Sequence, residues 1–144
     1  LRTYGDMEAV RAGLADATLD MIATDHAPHH YDEKEAAFAD APNGIIGLET
    51  AVGVVLTKVV AEGVIDLPTM VERMSCQPAR AFGLPGGSLT EGSPADVTVF
   101  DPNANWTVDP EAFVSKSRNS PFIGWELTGR PCYTVVAGRV VFEA

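Results

Sequence analysis

The feature that most restricts how this chain can fold is a change of hydrophobic period near Gly92. Before it the pattern is helical with a single short buried-strand run, and after it apolar residues alternate with period two. From Asp6 to about Thr18, Met7, Val10, Leu14 and Ala17 recur at helical spacing, with Asp6 as the expected N-cap. Leu19 to Thr24 follows almost without a linker and reads as a buried parallel strand, which sets Asp25 at its C-terminal end. A helical turn is expected within Glu33–Phe38, and a helix over Ile46–Ala61 with Gly63 as its stop. Leu67-Pro68 opens another helix running to about Met74, and Ser75 caps a shorter one over Gln77–Phe82, with Pro78 in its first turn. The alternating runs 96–100, 106–108, 133–136 and 140–142 predict strands, the last two forming a hairpin across Ala137-Gly138.

One parallel strand cannot form a sheet alone, so the helical half is expected to be completed by strands outside this sequence. The expected fold class is therefore α/β: residues 1–86 as parallel β/α units with one strand near 19–24, and residues 87–144 as an antiparallel β module.

Composition narrows the function. With 46% hydrophobic residues in 144, the chain can bury the core of one domain. Twenty acids against 10 bases give a net charge of -10, and there is no Lys/Arg run, which excludes a phosphate-backbone or anionic-lipid footprint. Nucleic acid and membrane are thus not expected partners. The most apolar stretch, Ala51–Ile65, is interrupted by Lys58 and Glu62 and is too short to span a bilayer. Cys76 and Cys132 match neither zinc-pair spacing nor a disulfide framework and are expected to be reduced, buried thiols. No basic segment followed by an apolar run opens the sequence, so a cytoplasmic location is expected.

The chemistry-bearing stretch is Ala23-Thr24-Asp25-His26-Ala27-Pro28-His29, which places a carboxylate and two imidazoles in a loop after a presumed strand. Metal binding and proton transfer both use such groups. The same residues also fit a turn capped by Asp25 with solvated or structural histidines. A self-contained zinc site from Asp25, His26, His29 and His30 would require neighbouring side chains of one segment to converge tetrahedrally.

The octapeptide Ile22–His29 resembles the strand-eight signature of bacterial dihydroorotases, within the amidohydrolase superfamily. The likeness continues through Asp32-Glu33-Lys34, Ala41–Thr50, Gln77-Pro78-Ala79-Arg80, Gly92–Asp96 and Ser115–Phe122, in order along the chain. The resemblance implies the C-terminal part of a (β/α)8 TIM-type barrel plus the C-terminal strands of a small β-sandwich. It implies zinc, one or two ions per site, and reversible cyclisation of N-carbamoyl-aspartate to dihydroorotate. By the same motif Asp25 is the metal-contacting carboxylate and proton shuttle. His29 then binds the substrate's carboxylate side, and Asn43-Gly44 offers backbone groups to the ring.

Most of that family's metal ligands have no counterpart among the three histidines here, so these residues alone are expected to be inactive. An open barrel and an unpaired sandwich edge are expected to favour self-association. The remaining readings are a hydantoinase- or allantoinase-type cyclic amidohydrolase, whose motif usually departs from Ala-Pro-His, and a noncatalytic scaffold subunit of aspartate carbamoyltransferase. His26, inside the motif, is expected to support the ligands from behind or to be structural, and His30 to be exposed. Glu49 is expected to act only on the dipole of its helix, and Arg80 and Ser115–Phe122 to satisfy loop backbone. Trp106, Trp125 and Phe142 are expected in the core of the β module.

Overall fold

A computed structural model describes residues 2–144. The first helix, α1 (Tyr4–Ala15), is capped by Thr3, whose hydroxyl accepts from the Asp6 N–H while the Asp6 carboxylate accepts from the Thr3 N–H. Asp6 is therefore the third residue of a capping box and not the cap itself. That box satisfies two of the N–H groups a helix start leaves unpaired.

Leu19–Thr24 does not form the expected buried strand. It is unpaired, with Leu19 and Ala23 exposed. A strand needs a neighbour for its N–H and C=O groups, and among the described residues this run's backbone bonds are the Leu19 N–H to the Gly13 carbonyl and the Ile22 N–H to the Arg73 carbonyl, neither of them a strand pairing. The one parallel pairing nearby is an isolated bridge between His26 and Ile45. The expected turn within Glu33–Phe38 appears earlier, as α2 (Tyr31–Lys34).

The long helix starts later than its pattern suggests, as α3 (Ala51–Val55), and widens into a π-helical segment over Leu56–Val60. Gly63, at φ +73°, ends it as expected. The next two expected helices are one continuous body. α4 (Leu67–Val71), capped by the Asp66 carboxylate, passes through a π-helical segment Glu72–Cys76 into α5 (Gln77–Phe82). Ser75 caps nothing. Pro78 has no N–H and would crowd the carbonyl four residues back, so the wider turn just before it lets the helix continue where the sequence suggests a break.

The β module is a three-stranded antiparallel sheet in the order β1 (Val97–Thr107), β2 (Glu126–Val136), β3 (Arg139–Glu143). The two expected strands 96–100 and 106–108 are a single strand, with an irregularity opposite Arg130–Thr128 where Asp101 to Asn105 bulges around Pro102. The hairpin across Ala137-Gly138 forms as expected, both residues having positive φ.

Two clusters make the core. Leu14, Val55, Leu56, Ile65 and Met70 pack α1, α3 and α4 together. Ile46, Val108, Phe113 and Leu127 join the approach to α3 with the sheet. Trp106 is half-buried, its Nε1–H donating to the Gly129 carbonyl at 2.9 Å. Trp125 and Phe142 are exposed, contrary to expectation, Trp125 lying edge-on to Phe122 just before β2. Cys76 and Cys132 are free thiols, half-buried and not fully buried. No helix among the described residues is long and apolar enough to cross a membrane.

Candidate active site

Asp25 stands at φ +44°, a left-handed conformation that costs a residue with a Cβ about 1–2 kcal/mol and that aspartate tolerates better than most. Its carboxylate is exposed and has no hydrogen bond or ion pair among the described residues. Strain at a polar residue with a free charged group is the arrangement expected of a working side chain.

The loop after Asp25 is held from several directions. His26 Nδ1 accepts from the Gly47 N–H at 3.2 Å and lies 3.5 Å from the Leu48 nitrogen, so His26 acts structurally. His29 is half-buried, and its Nδ1 lies 3.1 Å from Glu33 Oε2. That hydrogen bond, with help from the His30 backbone, holds the Glu33 carboxyl below its ordinary range. His30 is exposed and caps α2, its Nδ1 accepting from the Asp32 N–H.

His29 and Gly44 are brought together, whereas among the described residues the side chains of Asp25 and Asn43 hydrogen-bond to neither. At Gly44, φ is +113°, and a Cβ there would lie 2.7 Å from the Ala27 Cβ and 3.2 Å from His29 Nε2. The Gly44 carbonyl accepts from Lys34 Nζ at 2.8 Å, and the same ammonium bonds the Pro42 carbonyl at 2.6 Å. Asn43 is exposed and its side chain makes no hydrogen bond among the described residues. Gly44→Ala is accordingly expected to destabilise the fold by about 1–3 kcal/mol, through strain at positive φ and overlap with Ala27. Chemical denaturation measures this, and Ala27→Gly in the same chain should recover part of the loss. An additive double variant would show that the overlap is not the cause.

Lys34, Ser117 and Asn119 are neighbours of the candidate residues, and the sequence does not show which segments they hold. Ser117 is buried, with Oγ 2.7 Å from the His29 carbonyl and 3.2 Å from the His29 nitrogen. Asn119 Nδ2 donates to the Ala27 carbonyl at 2.9 Å and the Gly44 carbonyl at 3.2 Å. The segment Ser115–Phe122 does satisfy loop backbone, as expected, but the backbone is that of the candidate site. Glu49 does more than sit near a helix start, since its carboxylate accepts from the Val114 and Ser115 N–H groups at 2.7 and 3.0 Å. Arg80 is exposed and bonds Glu72 and Gln77 away from the loop.

A groove of about 660 Å³ runs beside this loop, lined by Pro28–Tyr31, Lys34, Glu35 and Lys116–Asn119. A second cavity of about 500 Å³, between Phe113 and the sheet at Trp106, Arg130 and Phe142, contains none of the candidate residues. Among the described residues no three His, Cys, Asp or Glu side chains cluster so as to hold a metal ion.

Known proteins match this arrangement along its whole length. The chain is 52% identical to the dihydroorotase of Geobacter metallireducens over 143 residues, 99% of this chain and 34% of that protein. It is 54% identical to the dihydroorotase of Citrifermentans bemidjiense over 144 residues, again 34% of that protein. The chain thus spans about a third of the length of these relatives. Among solved structures, the L-hydantoinase (dihydropyrimidinase) from Arthrobacter aurescens superposes with a TM-score of 0.90 at 35% identity, covering 98% of this chain and 32% of that one. The amidohydrolase family model matches residues 3–141, and the chain belongs to the amidohydrolase family.

Proposed function

We propose that the complete polypeptide is a dihydroorotase, and that this chain supplies its proton-transferring carboxylate and part of its substrate-binding wall. The observation that carries the reading is Asp25, an exposed carboxylate unpartnered among the described residues and in a left-handed conformation, at the head of a loop anchored through His26, Ala27 and His29. The identity of 52–54% to dihydroorotases over the whole chain supports the same reading. Residues 1–86 are read as the last units of a (β/α)8 barrel and 87–144 as strands of a β-sandwich. In that arrangement Leu19–Thr24 gains its missing neighbours from the part of the relatives' length that this chain does not span.

In the hydrolytic direction a water attacks the ring amide carbonyl and the C–N bond opens. Asp25 takes the proton of the attacking water and returns it to the leaving nitrogen, and the reverse sequence closes the ring of N-carbamoyl-aspartate. In this reading His29, steadied by Glu33, binds the substrate's carboxylate side, and the Asn43-Gly44 backbone offers groups to the ring, where a glycine permits close approach.

The residues present fit part of a zinc centre's ligand set. Asp25 offers a free oxygen donor, His26 and His30 accept backbone N–H groups at Nδ1 and so carry the neutral ring's proton on Nε2, and no three candidate ligands cluster among the described residues. A zinc ion, when bound, lowers the pKa of water towards neutrality and polarises a carbonyl.

The test is hydrolysis of dihydroorotate by the complete polypeptide, alongside hydantoin as competing substrate and with metal content measured. Metal-dependent turnover of dihydroorotate, with hydantoin much slower, is the expected result. Preference for hydantoin would favour the reading suggested by the hydantoinase likeness, and a metal-free, inactive polypeptide would favour a scaffold.

A further inference from the structure

We infer that Asn119 is a positioning residue that sets the spacing between the two substrate-binding segments, the loop of Ala27–His29 and the loop of Asn43-Gly44. The inference rests on the dihydroorotase reading and adds a residue, 75 positions beyond Gly44 in the chain, that acts through the backbone of these segments. Its amide is anchored on both sides. Nδ2 donates to the carbonyls of Ala27 (2.9 Å) and Gly44 (3.2 Å), and Oδ1 faces the Ser117 hydroxyl and, at 3.4 Å, the His29 N–H.

Carbonyl oxygens only accept, so the amide nitrogen must face them, and this fixes which way the side chain lies. Two donors from one planar group set the distance between two carbonyls on segments that no strand pairing holds apart, beyond the bridge at His26 and Ile45. Ser117 complements the clamp by gripping the backbone of His29 through both its N–H and its carbonyl. Both side chains come from the stretch joining the 3-10 turn Pro110–Ala112 to β2, so the β module reaches into the site through them. No alternative partner is needed to explain either residue, and a purely local turn would not require Asn119 to bond two segments 17 residues apart from each other, Ala27 and Gly44.

Because the clamp joins the binding segments and Asp25 lies outside it, its loss should act on substrate binding more than on the chemical step. In the complete polypeptide, Asn119→Ala is expected to raise KM for dihydroorotate by about tenfold to a hundredfold, with kcat falling less than about threefold. Metal content should be unchanged. Ser117→Ala, which leaves the Asn119 amide in place, should give a smaller rise in KM and serves if Asn119→Ala fails to fold. Unchanged kinetics in the folded fraction of both variants, or a loss confined to kcat, would overturn the inference. A parent polypeptide that failed to turn over dihydroorotate at all would instead show that the dihydroorotase reading had failed.

Discussion

Asparagine at position 25 is expected to leave the complete polypeptide folded while lowering its turnover of dihydroorotate by on the order of 10²–10⁴-fold. Asparagine is the informative replacement because it tolerates the left-handed region nearly as well as aspartate and has almost the same volume. It removes the charge without disturbing φ +44°. The Asp25 carboxylate has no hydrogen bond or ion pair within the described chain, so its loss breaks no packing or ion-pair contact. Stability by chemical denaturation should therefore stay within about 0.5 kcal/mol of the parent, as for an exposed substitution away from structural features. The combination matters: activity falls steeply while stability does not move. A variant that keeps more than a tenth of parental kcat would show that another group moves the proton. A variant that loses activity only through unfolding would show that Asp25 is a structural turn residue, the reading its residue type alone also allowed.

The sequence exposed those features whose cause is local. The capped start of α1, the stop at Gly63 and the Ala137-Gly138 hairpin follow from residues within a few positions of each other. It misled where a local signal was overridden by its surroundings. Pro78 reads as a boundary, yet a π-helical turn absorbs its missing N–H. The alternating run 133–136 marks only the second half of β2, whose first half contains Gly129 and Pro131, residues that weaken a strand pattern. Leu19–Thr24 has the composition of a buried strand, but pairing is a property of two segments, and its partners are not among the described residues.

The candidate site divides in the same way. Asp25 and His29 stand out because a carboxylate and imidazoles close together in one loop carry chemistry in their residue types. Asn119 and Ser117 do not, since an amide and a hydroxyl in a polar stretch are ordinary loop residues until their partners are known. Those partners lie 75 to 92 positions away in the chain, and no period or spacing encodes such a contact. The expected role for Ser115–Phe122, satisfying loop backbone, identified the bonds but not whose backbone they served. Glu49 illustrates the converse, a residue explained by its own helix that in fact holds the loop at Val114 and Ser115.

Gly129→Ala should be the most destabilising single-methyl change available, at about 2–5 kcal/mol, combining overpacking with strain at positive φ. Gly129 lies in β2 at φ +93°, and a Cβ there would come within 2.1 Å of Leu56 Cδ1 and 3.2 Å of Leu56 Cβ and Cγ. Leu56 is 5% exposed and belongs to the cluster that packs α1, α3 and α4, so its side chain has little room to rotate away. The backbone of Gly129 is committed as well, its carbonyl accepting from Trp106 Nε1 at 2.9 Å. Across this contact Gly53 faces Trp106 and Leu127, with a Cβ there reaching 3.0 and 3.1 Å, and the Thr128 N–H donates to Thr57 Oγ1 at 2.9 Å. Helix and sheet therefore meet backbone to side chain along one line, and a methyl group at position 129 would wedge them apart. Adding Leu56→Ala should remove the overlap but not the strain, so the double variant should be less unstable than the sum of the two single changes. The midpoint of denaturation in the complete polypeptide measures all three. A Gly129→Ala cost below about 1 kcal/mol would mean that Leu56 yields freely and that the junction is looser than its close contacts indicate. A cost in the expected range, with kinetic constants of the folded fraction intact, would assign this glycine to the joint between α3 and β2, distinct from Gly44, whose substitution displaces His29.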